Sequence, residues 1–284
     1  KNDRILAVIL AVVGALGLWY MAGSAPIGTR DMPLADPKAP NLGPSWVGAT
    51  ADYQVTSWAT VEQTTQVGST AEALLRAYLQ FFALDNSVVP KGGLKLTLYR
   101  NRAQFKAKHP QPAWAEALYS KGVSYAYYDA KAPSATHWML HEATHQLNEQ
   151  VGHTPPDKWI NEGLASYFGA SKLEDYNLTP GKIEAQAYPV WWLGKLRPTG
   201  DMRKDFASGR VVPLRALVSN SGGPALDSHV NQWYLGYWSL TQFLLHGAGG
   251  KYAPGYHKLL AGKRATLADF QREIGPVDAV QTEW

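Results

Sequence analysis

The amino-acid sequence predicts an α+β fold. The clearest strand pattern, Leu94–Tyr99 (LKLTLY), and its weaker neighbours lie in the first half of the chain, whereas the second half reads as successive helices. The changeover falls at the stretch HEATHQLNEQVGHTPPDKWINEGLASYF, His141–Phe168. With 284 residues, 45% of them hydrophobic, the chain can bury a substantial core.

The elements follow in order. Lys1 and Arg4 precede the nineteen uncharged residues Ile5–Gly23, long enough to cross a bilayer as a helix. Residues 1–24 are therefore expected to be a transmembrane anchor, with lipid contact through residues 5–23. Positive charge ahead of the span puts the N-terminus in the cytoplasm and the following domain outside it, in a periplasmic or extracellular setting. A signal peptide is the other reading, but its apolar region is usually only about 7–15 residues long and the AGSA stretch, Ala22–Ala25, runs straight into Pro26. Five prolines between Ala25 and Trp46 mark residues 25–48 as a spacer, and residues 49–284 as the folded domain.

Within that domain, residues 52–57 (DYQVTS) alternate like a strand. Ser69–Leu84 keeps helical spacing after cap-type residues, and Val123–Tyr128 (VSYAYY) is a further strand. Helices are expected over about 134–150, 156–170, 229–246, 252–261 and 266–274. The formal charge of +4 is small for the length and forms no long basic block, so a nucleic-acid partner has no support. Cysteine is absent, which excludes disulfides and thiolate metal sites.

The chemistry lies in HEATH. Four residues apart on a helix, His141 and His145 share one face, where two imidazoles can hold one ion with Glu142 beside them. A catalytic zinc takes three protein ligands and leaves a fourth position open. Glu162 is the candidate for the third. Sixteen residues separate it from His145, and Pro155 and Pro156 break the chain between them, so that a second helix can return antiparallel to the first.

His141–His145 followed by WINEGLASYF (Trp159–Phe168) resembles the gluzincins, the thermolysin-like zinc peptidases, and most of all their small peptidase-MA-like group. The resemblance implies a thermolysin-like zincin domain, with a small mixed sheet and a helical bundle. It implies zinc on His141, His145 and Glu162, and Glu142 as general base. It extends to YLGYWSLTQFLL, Tyr234–Leu245, where the first tyrosine, Tyr234, is expected to hydrogen-bond the oxyanion; Tyr237 is the alternative.

Two positions depart from that family. The glycine-rich segment by which related aminopeptidases hold a free N-terminus is missing, and GVSYAYYDA (Gly122–Ala130) stands in its place, which favours an endopeptidase. The aspartate that orients a histidine in thermolysin is replaced by Ser166, so orientation must come from another group, such as a main-chain carbonyl or Asn161.

The resulting expectation is a membrane-anchored zinc metallopeptidase acting on a peptide or protein substrate, with the strand at Val123–Tyr128 available to pair with it. The rival is a non-catalytic accessory subunit that uses the same domain to join other subunits of a membrane complex. Glu142 argues against the rival, because holding zinc alone does not require it. Among the remaining histidines, His153 reads as a solvated loop residue and His229 as a possible donor near the site. Trp191 and Trp192 read as core residues, with a substrate groove or a membrane surface as alternatives.

Overall fold

The computed structural model describes residues 42–110, 116–131 and 135–284. The expected anchor (1–24) and most of the spacer lie outside the described residues. Among the described residues no helix is long and apolar enough to cross a membrane.

Strand β1 (Trp46–Ala49) pairs antiparallel with β2 (Tyr53–Ser57) and takes in the last three residues assigned to the spacer. Helix α1 (Val61–Phe81) then crosses over to β3 (Leu94–Tyr99), which runs parallel to β2. The short helix α2 (Arg102–Lys108) leads toward β4 (Leu118–Ser120) and β5 (Val123–Tyr127). The sheet order is β1-β2-β3-β5-β4, with β5 parallel to β3 and β4 antiparallel to β5. This mixed five-stranded sheet, followed mainly by helices, bears out the α+β class.

It also corrects one expectation. Val123–Tyr128 was expected to be free to pair with a substrate, but β5 is hydrogen-bonded on both sides, to β3 and to β4. The outer strand on that side is β4, whose three residues are too few to show alternation.

Helix α1 begins eight residues before the expected start at Ser69. Thr60 and Gln63 form a reciprocal capping box, each side chain bonding the other's backbone N–H. The polar first turns concealed this, and one of their polar groups is buried for a tertiary reason: the Thr64 hydroxyl bonds Ser57 on β2 at 2.7 Å. Farther along, Ala71, Leu74, Leu75 and Tyr78 join Tyr53, Val55, Leu94, Leu96 and Leu98 of the sheet in the main core.

Helix α3 (His137–Gln150) lies against this sheet, and Gln146 fixes it there. The Gln146 amide N–H group donates to the carbonyls of Lys95 (3.1 Å) and Gly122 (2.9 Å), and its oxygen accepts from Ser124 at 3.1 Å. Helix α4 (Lys158–Gly169) packs on α3, starting just after Pro155 and Pro156. Its N-cap residue, Asp157, is held by Arg264 and the Ala265 N–H.

A hairpin of β6 (Ser171–Glu174) and β7 (Asn177–Ile183) follows. Its two turn residues, Asp175 and Tyr176, both have positive φ, as a tight primed turn requires, but without the Asn-Gly signature that would have announced it. Short helices α5 (Leu193–Leu196), α6 (Met202–Ala207) and α7 (Leu214–Ser219) lead to α8 (Val230–His246), which packs on the other side of α4. Helices α9 (Ala253–Leu260), α10 (Leu267–Glu273) and α11 (Val277–Glu283) complete the domain. Gly163 permits the close approach of α4 to α8, because a Cβ there would run into Thr241 Oγ1.

Candidate metal centre

The structure brings His141, His145 and Glu162 together as a buried group able to hold a metal ion. The two imidazole Nε2 atoms are 3.2 Å apart, and Glu162 Oε2 lies 3.5 Å from one and 3.6 Å from the other. Tetrahedral coordination at about 2.0–2.1 Å separates ligand atoms by about 3.3–3.4 Å, so the three donors already stand at the spacing one ion requires. Glu162 Oε2 is buried and has no hydrogen-bond donor. A buried carboxylate oxygen in that condition is costly unless a cation completes it.

The carboxylate is held ionised. Burial pushes the Glu162 carboxyl up, but His145, His141 and the buried Lys158 outweigh this and hold it at about 2. Lys158 stands four residues earlier on α4, on the same face.

His145 is oriented from behind. Its Nδ1 bonds Asn161 Oδ1 at 3.0 Å, which leaves the Nε2 lone pair facing the group. Asn148 Nδ2 donates to the same oxygen at 2.9 Å, and the Tyr78 hydroxyl donates to Asn148 Oδ1 at 3.0 Å. Asn161 thus takes the orienting role that Ser166 cannot: Ser166 is buried, and its hydroxyl has no partner. Asn148, whose only signal was its i+3 spacing from His145, went unnoticed in the sequence, as did Tyr78, which lies 70 residues away from Asn148 and gave no local signal.

His145 and Glu162 of this group form part of the wall of a cleft of about 390 Å³, together with Tyr119, Glu142, Glu149 and His153. Glu142 is not among the converging donors. Its Oε2 accepts the Tyr119 N–H at 3.0 Å, which ties β4 to the cleft. Burial pushes the Glu142 carboxyl up to about 7, with the Glu162 charge adding to the rise and His145 opposing it. A carboxylate near that value can both take and return a proton around neutral pH.

Tyr234, on α8, has its ring beside His141, with centroids 6.2 Å apart. It is 1% exposed and does not line the cleft. Its hydroxyl faces the Glu162 carboxylate within weak hydrogen-bonding reach, without the geometry of a formed bond. Burial, and then Glu162, push its pKa well above the usual tyrosine value. Tyr188, unnoticed in the sequence, shares this setting: it is buried, unpartnered at its hydroxyl, and raised by burial and by Glu162. Tyr237 is buried on the same helix.

Of the other histidines, His153 is exposed at the mouth of the cleft, whereas His229 bonds Ser228 and the Ala225 carbonyl and does not line it. Trp191 and Trp192 are half-buried and pack against the main core, as their first reading had it. Comparison with protein-family models gives no match, and comparison with curated proteins gives none either, so the chemistry of the centre has to be read from its own geometry.

Proposed function

We propose that the protein is a zinc-dependent peptidase of the gluzincin type, with a thermolysin-like arrangement of helices, acting as an endopeptidase outside the cytoplasm from a membrane anchor at residues 5–23. One observation carries this reading: two of the three converging donors, His145 and Glu162, line a cleft together with another ionisable group, Glu142, that metal retention does not need. Two imidazoles and one carboxylate suit zinc.

Zinc held there supplies Lewis acidity, which polarises a carbonyl and makes water a nucleophile near neutral pH. Glu142, which lines the same cleft, would accept a proton from the attacking water and return it to the leaving amine. Asn161 fixes the His145 ring through Nδ1, so the imidazole does not have to reorient during turnover. The residue that meets an extended substrate is now Tyr119, on the outer strand β4, in place of the inner strand β5. Tyr234 serves as the oxyanion donor if substrate binding opens a path to its hydroxyl.

The test is Glu142→Gln. The variant should retain stoichiometric metal by elemental analysis while cleavage of a denatured protein falls by about 10²–10⁴-fold. Equal cleavage by wild type and variant would reject Glu142 as the general base. A wild-type chain that holds metal, cleaves nothing and copurifies with a stoichiometric partner would favour the accessory-subunit reading.

A further inference from the structure

Between Leu193 and Lys204 the chain runs over the surface, with only Leu196 and Asp201 half-buried. Leu193 (46% exposed) and Met202 (44%) are two of the seven large apolar side chains exposed among the described residues; the other five lie elsewhere, on β1, the start of α1, the turn before β3 and the β6–β7 hairpin. Single exposed apolar residues are ordinary, but these two come with charge. Lys195, Arg197, Arg203 and Lys204 against Asp201 give these twelve residues a net +3, of a formal +4 for the whole chain. Among the described residues only Lys204 of these four cations has a carboxylate partner, Asp201 at 3.2 Å. Lys195 lies over the Trp192 ring at 5.1 Å, and among the described residues Arg197 and Arg203 form no ion pair. The stretch is also rooted, because Trp191 just before it packs against Tyr188 and His137.

Exposed apolar side chains interleaved with unpaired cations are what an anionic lipid surface binds: the cations are drawn to the negative headgroups and the apolar groups enter between them. We propose that residues 193–204 rest on an anionic membrane, with Leu193 and Met202 in the headgroup layer and Lys195, Arg197 and Arg203 facing lipid phosphates. The surface then sets which side of the domain faces the bilayer. This rests on the reading of residues 5–23 as an anchor. The segment from residue 24 to 41 reaches at most about 55 Å in an extended polyproline-like form, so the domain is kept near the bilayer and a weak patch suffices.

Because the chain has no cysteine, Met202→Cys gives a unique site for a polarity-sensitive fluorophore. The full-length variant is reconstituted into vesicles of phosphatidylcholine, alone or mixed with phosphatidylglycerol. A control fluorophore goes at Val88→Cys, an exposed position flanked by Asp85 and Lys91. On anionic vesicles the probe at 202 should shift to the blue and be quenched by headgroup-linked quenchers. High salt, or the combined Lys195→Gln, Arg197→Gln and Arg203→Gln changes, should reverse both effects, and the control should not respond. A probe at 202 that stays water-exposed on anionic vesicles, or responds equally on neutral ones, overturns the proposal. A response to soluble polyglutamate but not to vesicles overturns it as well, in favour of an acidic protein partner. Flotation with neutral vesicles reads the anchor separately: a chain that does not float has no anchor, and its probe response to added anionic vesicles still decides the docking.

Discussion

The two flanks of the metal group are built differently. On the flank formed by α1, α3 and the start of α4, the polar atoms close a chain: Tyr78 to Asn148, Asn148 to Asn161, and His145 to Asn161. Across the group, toward α8, the Tyr188 and Tyr234 hydroxyls and Glu162 Oε2 are buried without hydrogen bonds. An unpartnered buried polar group costs about 1–3 kcal/mol, and the second flank stores several such penalties where the Tyr78–Asn148–Asn161–His145 chain of the first has its polar atoms paired. The first flank is a finished scaffold that sets ligand geometry before any ion arrives. The second is completed only by what binds.

The largest effect should come from the ligand shared by both flanks. Glu162→Gln preserves volume but removes the charge that His145, His141 and Lys158 hold in place, and metal should no longer survive dialysis, as read by elemental analysis. Retention of full metal content would mean that the three donors do not act together. On the scaffold side, Asn161→Ala leaves the His145 Nδ1–H and the Asn148 amide without their acceptor. Metal affinity measured by chelator competition should fall about 10–100-fold, whereas Asn161→Asp, which keeps the acceptor, should retain most of it. Between α4 and α8, Gly163→Ala drives a Cβ into Thr241 Oγ1 and within 3.4 Å of the Tyr237 carbonyl. Thermal unfolding should show a loss of about 1–3 kcal/mol. An unchanged melting temperature would mean that the α8 flank is loose enough to yield.

The same contrast explains what the sequence could reveal. The scaffold flank is mostly local: His141, Glu142, His145 and Asn148 share one helix, and Asn161 and Glu162 are adjacent on the next, so helical spacing and the proline break pointed to the donors and to Asn161 as one candidate orienting group, whereas Asn148 went unnoticed. Tyr78 was hidden because its partner is brought to it by the packing of α1 on α3. Much of the sheet was legible from alternation, but the position of Val123–Tyr127 inside it was not, because strand order depends on the short β4. On the α8 flank, Tyr234 was found through a resemblance in pattern. Its burial behind His141, and the presence of Tyr188 from the loop between β7 and α5, depend on tertiary packing that no periodicity records.

Tyr234→Phe therefore gives the smallest structural effect and the sharpest test of the contrast. Removing a buried hydroxyl that has no partner should leave stability unchanged or raise it by up to about 1 kcal/mol, because the penalty for burying that group disappears. Metal affinity should stay within about threefold, since neither a donor atom nor the Asn161 bond is touched. If the hydroxyl finds its partner only in the reacting complex, turnover should nevertheless fall by about 10²–10³-fold, as when one oxyanion donor is lost. Destabilisation by more than about 1 kcal/mol would instead place a hydrogen bond on that hydroxyl in the resting protein, with Glu162 as the nearest acceptor whose charge it feels. Both flanks would then be scaffold, and the oxyanion would have to find its donor among the residues that line the cleft.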